Sequence, residues 1–485
     1  MTKTGMEVYV DTRPLWRIIL DRSTKFAWLA MGVGAYFAIS RMPSPEGLGM
    51  EGQQALAVFA LCVIFWVTGA LPLMITSLLA IALIPLSGVM TSSQAYSLFG
   101  NSAVFFILGA FILAACLMKS GLSLRMGLVF LQTFGHSPRT LLAATYLLNA
   151  IMAFFMSEHA VAAMNYPIVA EIVAVLGLRP MRSSYGKALF ISLAWGSTIG
   201  GVATLLGGGR APLALAMLQE ATGEPSYTFA TWSLYSLPIV AVMLAFGWVV
   251  LTRFFPIDID SVETAESVLA ERVHELGRMT GEERAIAIVM ISTVFVWIGF
   301  GHELGLANVA IGAVVILFAF GLVAWKDVEE YVNWGIILMY GGAICLGAAL
   351  DRSGAAAWLA DNTLGAWAHG QTSIVASLSL ITWLLTEAMS NSAVVALMMP
   401  ITLGLAPAIG LPIEAAAPLI AIPAGLTFAF PIGTPANAIA YSSGFLKLRD
   451  LIVPGAIMGV AGWVVFNLTA TFYWPILRSF LGTGL

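Results

Sequence analysis

Apolar runs of transmembrane length alternate with short polar or Gly/Pro-bearing segments along almost the whole chain. A helix needs about 20 mostly apolar residues to span a bilayer. Runs of that kind fall near 26–40, 53–70, 72–90, 100–118, 188–206, 231–250, 285–301, 305–324, 334–350, 415–433 and 451–475, which predicts eleven crossings. Two further apolar regions, 140–178 and 372–410, are each long enough to cross twice, but a polar cluster interrupts each at its middle. Non-helical backbone at mid-membrane depth is tolerated only when it is buried in protein or lines a cavity. Both regions are therefore read as re-entrant hairpins, and the predicted class is an all-α membrane protein.

Composition agrees with lipid as the solvent. Apolar residues make up 59% of the 485 and charged residues only 10%, against about 25% charged in soluble domains. A thinly spread net charge of −4 gives no electrostatic footprint for nucleic acid. Cys62, Cys116 and Cys345 all sit in apolar runs, so a disulfide framework is not expected. The polar first 25 residues, with Lys3, Arg13, Arg17, Arg22 and Lys25, do not resemble a cleavable signal peptide.

Charge also orients the layout. With the N-terminus inside, 18 of the 22 Lys and Arg fall on the cytoplasmic side; Arg41, Arg352 and Arg478 fall outside, and Arg210 lies within the membrane or at its edge. The first hairpin then opens inward and the second outward, and the C-terminus lies outside. This describes a multi-pass protein of the cell inner (plasma) membrane. The one long polar segment, 253–284, carries Glu263, Glu266, Glu271, Glu275, Glu282 and Glu283 and is read as a solvated cytoplasmic linker, which an amphipathic interfacial helix would also fit, with a regulatory docking role as the alternative. The domain reading is a cytoplasmic segment 1–25, a first repeat 26–252, the linker 253–284 and a second repeat 285–485.

The two halves align at a constant offset of 233. Gly109-Ala110 matches Gly342-Ala343, Ser120-Gly121 matches Ser353-Gly354, Ser157 matches Ser390, Ala160-Val161 matches Ala393-Val394, and Pro167 matches Pro400. In the predicted topology the copies have opposite orientation. Inverted repeats are a transporter signature, because exchanging the conformations of the halves converts inward-open into outward-open.

The hairpin tips read Phe155-Met156-Ser157-Glu158-His159-Ala160 and Thr386-Glu387-Ala388-Met389-Ser390-Asn391-Ser392-Ala393. Small polar side chains there can cap half-helices or bind ions, since half-helix N-termini favour anions and unwound carbonyls favour sodium. Two motifs at equivalent repeat positions favour binding. Each hairpin is followed by a second break: Gly196-Ser197-Thr198-Ile199-Gly200-Gly201 running on to Gly207-Gly208-Gly209-Arg210, and Pro431-Ile432-Gly433-Thr434-Pro435-Ala436-Asn437.

The second-half pair, Ser390-Asn391-Ser392 with Gly433-Thr434-Pro435-Ala436-Asn437 and the preceding Thr386-Glu387, resembles the Ser-Asn-Thr and Thr-Pro-Pro-Asn signatures of the divalent anion–sodium symporter family. The resemblance implies eleven helices plus two hairpins, a homodimer, an elevator-like movement, and di- or tricarboxylate or sulfate substrates carried with sodium. It implies that Ser390, Asn391, Ser392, Thr434 and Pro435 line the anion site. Thr386 and Asn391, with nearby carbonyls, would hold a sodium ion; no other cofactor is expected.

The first half departs from the pattern. Glu158 and His159 stand where an amide and a hydroxyl would follow Ser157, Ala153 stands where a Ser is frequent, and Gly208-Gly209-Arg210 replaces Thr-Pro-Pro. Sodium coupling is therefore expected to be reduced or replaced there. A mid-membrane carboxylate must be paired or neutralised, which leaves three readings: Glu158 paired with Arg210, Glu158 protonated beside His159, or both residues bracing the hairpin. Ser157, Glu158, His159 and Arg210 join the candidate substrate site. The alternative function is a cation/proton antiporter using Glu158 and His159, with Glu387 as the second-half acid. An enzyme is not expected. Adjacent Ser157-Glu158-His159 cannot form a catalytic triad, which draws its members from separate segments, and His274-Glu275 and His302-Glu303 lack a zinc-protease partner histidine. His136 and His369 are read as ordinary interface residues.

Overall fold

Apolar runs close with glycine or polar caps, and the computed structural model follows them, describing residues 15–224, 227–363 and 370–481. Every regular element among the described residues is helical. Helix Met50–Thr68 stops where Gly69 takes a left-handed φ of 64°, a conformation that side chains with a Cβ resist. Helix Ser102–Lys119 starts where the Asn101 side chain accepts from the Ala103 N–H. Among the described residues, six helical stretches are long and apolar enough to cross a membrane: Met50–Thr68, Ser92–Lys119, Phe229–Phe254, Gly281–Leu304, Trp334–Arg352 and Leu448–Phe480. Shorter apolar helices, among them Leu73–Leu86 and Leu306–Ala319, fill between them. Cys62, Cys116 and Cys345 are buried free thiols. His369 and residues 1–14 lie outside the described residues.

The 233-residue offset reappears in local structure. Helices begin at Leu122 and Ala355, at Pro138 and Gln371, and at Glu158 and Asn391. Ser120 and Ser353 are both C-caps, each followed by a glycine at φ 78° or 72°. Pro167 and Pro400 both lie inside the helix that follows a break. Both polar interruptions are thus helix–break–helix segments: Pro138–Met152 with Glu158–Val175, and Gln371–Ala388 with Asn391–Leu405.

Close helix contacts hold the breaks in place. Helix Ser184–Gly200 lies against Pro138–Met152 so tightly that a Cβ on Gly200 would come within 2.1 Å of the Ala150 carbonyl, and one on Gly196 within 2.3 Å of that of Tyr146. The spacing Gly196-x-x-x-Gly200 is the small-residue pattern that lets backbones approach in a bilayer. Within the first segment, Asn165 Nδ2 donates to Asn149 Oδ1 across 3.0 Å, tying one arm to the other in the buried interior.

Further helices fall outside the crossings and hairpins read from the sequence, including the apolar Leu122–Phe134 and, in the polar 253–284 segment, Glu263–Leu276. The latter buries Ala265 and Leu269. Arg125 holds its end: Nη1 and Nη2 donate to the carbonyls of Gly277 and Leu276, and Nε to Glu283 at 2.8 Å.

Candidate functional site

Four helix N-termini meet in the interior, and backbone geometry puts them there. Ser157 and Ser390 occupy equivalent N-cap positions, with φ, ψ of −62°, 141° and −58°, 135°, and neither side chain makes a capping hydrogen bond. Capping therefore does not occupy these hydroxyls. Thr434, the N-cap of helix Pro435–Ser442, makes no side-chain cap bond either. The fourth terminus is that of helix Arg210–Thr222, entered through Gly207-Gly208-Gly209. A Cβ on Gly207 would come within 2.3 Å of the Gly201 carbonyl, so that turn closes only without a side chain.

Glu158 is the hub. Its Oε2 accepts from Arg210 Nη1 at 2.9 Å, and its Oε1 accepts from Thr434 Oγ1 at 3.1 Å and from Asn391 Nδ2 at 3.3 Å. Its own N–H donates to the Gly207 carbonyl at 2.9 Å. Glu158 is 4% exposed and Arg210 3%, so this is a buried ion pair. A buried charge requires such pairing, because desolvation otherwise outweighs any gain. Of the three sequence readings, pairing with Arg210 is the one the geometry realises. Arg210 Nη2 and Tyr340 Oη are buried without a protein hydrogen-bond partner.

Beside this hub lies a cavity of about 350 Å³, lined by His159, Ser390, Ser392, Pro435 and Asn333 on its polar side and by Pro72, Leu73, Met74, Ile336 and Met339 on its apolar side. Ser157, Glu158, Arg210, Asn391 and Thr434 are buried and are not among its lining residues, though their chain neighbours His159, Ser390, Ser392 and Pro435 are. The sequence candidates are thus brought together in two layers.

A third feature adjoins the hub. Thr386 Oγ1 lies 2.8 Å from both Asn391 Oδ1 and the Ala424 carbonyl. Thr427 Oγ1 lies 3.3 Å from Thr386 Oγ1 and 3.4 Å from Asn391 Oδ1. The same side of the Asn391 amide faces the Gly433 carbonyl at 3.0 Å and that of Ala424 at 3.2 Å. Five neutral oxygens therefore converge when the amide oxygen points inward. This donor set fits a hard monovalent cation such as sodium, which unwound helix carbonyls favour in transporters. Thr386 and Asn391 with nearby carbonyls were expected from the resemblance; which carbonyls, and the Thr427 hydroxyl, were not, because the chain trace that brings them in carries no residue signature.

Glu387 stands apart from the cavity. Its carboxylate accepts from three consecutive backbone N–H groups: Phe428 at 3.0 Å, Ala429 at 3.1 Å and Phe430 at 3.2 Å. It braces the second break instead of mirroring Glu158.

The architecture and the paired breaks define a membrane transporter. The sodium:sulfate symporter transmembrane region matches residues 23–480, and the chain belongs to that family. It is a family of transporters, not enzymes. The sodium-dependent dicarboxylate transporter SdcS of Staphylococcus saprophyticus is 27% identical, over 89% of this chain and 88% of that protein. The SdcS protein of Staphylococcus aureus is 26% identical over the same shares. Among solved structures, the YdaH transporter of Alcanivorax borkumensis superposes with a TM-score of 0.55 at 15% identity, over 79% of this chain and 88% of that one. MtrF of Neisseria gonorrhoeae, described as one of a class of antimetabolite efflux pumps, gives 0.55 at 13%, over 92% and 94%. At these identities the two structures speak for the fold alone.

Proposed function

We propose that this chain is a secondary active transporter of small divalent anions, dicarboxylate, sulfate or a related dianion, coupled to a single type of sodium site in the second half. The observation that carries the reading is the adjacency of two features: a cavity lined by Ser390, whose hydroxyl makes no cap bond, and Ser392 beside half-helix N-termini, and the oxygen cage around Thr386 and Asn391. N-termini and hydroxyls favour an anion. Sodium bound in the cage would add positive charge close to that anion. At the first-half position the Glu158–Arg210 pair supplies a fixed, internally neutral substitute, which accounts for the loss of the amide and hydroxyl pattern there. That relatives carry the name of sodium-dependent dicarboxylate transporters supports both the ion and the substrate class.

The layout expected from the sequence, eleven crossings, two re-entrant hairpins and a cytoplasmic N-terminus, is supported by where the ion pairs fall. Lys119–Glu282, Arg125–Glu283, Arg272–Glu171 and Lys187–Asp450 each join segments assigned to the inside. Arg352–Glu220 joins two assigned to the outside. The inner-membrane location, the homodimer and the elevator movement of the broken segments rest on the family resemblance.

The antiporter reading is disfavoured by two contacts. Both Glu158 oxygens are committed to protein donors, and Glu387 is locked on three amides outside the cavity. Uptake into proteoliposomes tests the choice. Labelled succinate, sulfate and a sulfonate are offered with sodium and proton gradients imposed separately. Sodium-driven uptake of a dianion is expected. Sodium/proton exchange with no anion uptake would replace this reading with the antiporter.

A further inference from the structure

The Asn391 amide has two faces with opposite demands, and a single rotation exchanges them. With nitrogen turned inward it would donate to the Gly433 and Ala424 carbonyls and to Thr386 Oγ1, at 3.0, 3.2 and 2.8 Å. The cage would then be closed by the protein's own N–H groups, and the amide oxygen would face Glu158. With oxygen turned inward, Nδ2 donates to Glu158 Oε1 at 3.3 Å, and the oxygen accepts from Thr386 Oγ1 but faces the Gly433 and Ala424 carbonyls, an arrangement that a cation between those oxygens satisfies.

Without a cation the two carbonyls favour the inward nitrogen, and the chemistry of residue 158 opposes them. An ionised carboxylate is acceptor-only, whereas an amide both donates and accepts. Glu158 is held as a carboxylate partner by Arg210 at 2.9 Å, and it accepts a second time from Thr434 Oγ1. An amide oxygen turned toward it would set acceptor against acceptor in a buried site, where an unsatisfied polar contact costs about 1–3 kcal/mol. We infer that Glu158 is a positioning residue for the cation site: by accepting from Asn391 Nδ2 it offsets the pull of the cage carbonyls on the amide nitrogen and so favours the inward oxygen when sodium binds, before any anion does. The inference rests on the sodium reading given above. It assigns the first-half acid a task in the second-half site, reached across the repeat axis through one side chain.

The test uses the purified full-length chain in detergent without any anion substrate, and reads thermal unfolding as sodium chloride is raised against choline chloride at constant ionic strength. Wild-type protein is expected to show a saturable, sodium-specific rise in melting temperature. In Glu158→Gln the side chain keeps its shape but no longer dictates the amide orientation, so the half-saturating sodium concentration should rise about tenfold, equivalent to about 1.4 kcal/mol. That variant also leaves Arg210 unpaired, so the double variant Glu158→Gln/Arg210→Met, which restores charge balance, is measured beside it. Persistence of the tenfold loss in the double variant supports orientation as the cause. Recovery of wild-type sodium affinity in the double variant would show that charge balance alone matters and overturn the inference. Unchanged sodium affinity in Glu158→Gln overturns it as well, while leaving the sodium site standing. A wild-type protein that does not distinguish sodium from choline overturns the sodium site itself and the inference with it.

Discussion

Asn391 Nδ2 lies 3.3 Å from Glu158 Oε1, and the two residues occupy equivalent places in the two halves, 233 positions apart. Each is the first residue of the helix that follows a polar break. The two equivalent positions thus meet as non-identical partners: an amide that can serve a cation on its far side, and a carboxylate paired with Arg210.

The ion pair itself should be strongly coupled. Removing one partner of a buried pair leaves an uncompensated charge and typically costs about 3–5 kcal/mol. Arg210→Met is expected to lower the melting temperature of the detergent-purified protein sharply, and adding Glu158→Gln to it should recover part of the loss. Additive effects in that double-mutant cycle would mean that the pair contributes nothing as a pair.

The uncapped hydroxyls predict a separation of ligands. Ser390 and Ser392 line the cavity, but neither appears among the bonded neighbours of the oxygen cage. Ser390→Ala and Ser392→Ala should each weaken anion uptake, raising the half-saturating anion concentration about 3- to 10-fold for a lost hydrogen bond of about 0.5–1.5 kcal/mol. Sodium-dependent stabilisation measured without anion should stay within twofold of wild type. Loss of the sodium response in either variant would place these serines in the cation site instead.

Much of this arrangement was readable in the sequence because hydropathy, charge placement and an ungapped repeat are linear signals. The 233-residue offset matched the two breaks to each other, and the scarcity of mid-membrane charge made pairing of Glu158 with Arg210 one of three readings. Whether Ser157 and Ser390 cap or bind was not readable, since capping is decided by backbone direction and side-chain rotamer. Nor was the divergence of the two acids: Glu158 and Glu387 look alike in sequence, yet one meets a guanidinium and the other three backbone amides. Helix Glu263–Leu276 was foreseen only as an element of a polar linker. Its docking depends on Arg125, more than a hundred residues away.

At the polar edge, His136 gives a pH dependence with a definite sign. Its Nδ1 sits 2.8 Å from Glu266 of the linker helix, and that hydrogen bond raises its pKa above the ordinary 6.5. A group whose folded pKa is raised contributes stability that is fully present below its unfolded pKa and is lost as pH rises through the folded value. The site is exposed, so the effect is small and screened by salt. Wild type should therefore resist linker proteolysis better than His136→Ala below about pH 6.5, with the difference vanishing in alkaline buffer. A difference that grows with pH would refute the assignment.

Glu387 makes the sharpest structural prediction, because its neighbours leave it no second role. Its two oxygens gather the N–H groups of Phe428, Ala429 and Phe430, a concave array of successive amides that suits an anion. The same stretch, between Ala424 and Thr434, supplies the Ala424 and Gly433 carbonyls and the Thr427 hydroxyl to the cage. Glu387→Gln turns one acceptor into a donor facing backbone N–H groups. Hydrogen bonds to charged groups are worth about 1.5–3 kcal/mol, so loss of one should loosen the break and displace those oxygens together. Both the melting temperature without sodium and the affinity for sodium should fall, whereas Glu158→Gln should chiefly lower the sodium affinity beyond its effect on the ion pair. A Glu387→Gln protein that melts lower but keeps wild-type sodium affinity would show that the amide array braces the fold without positioning the cage.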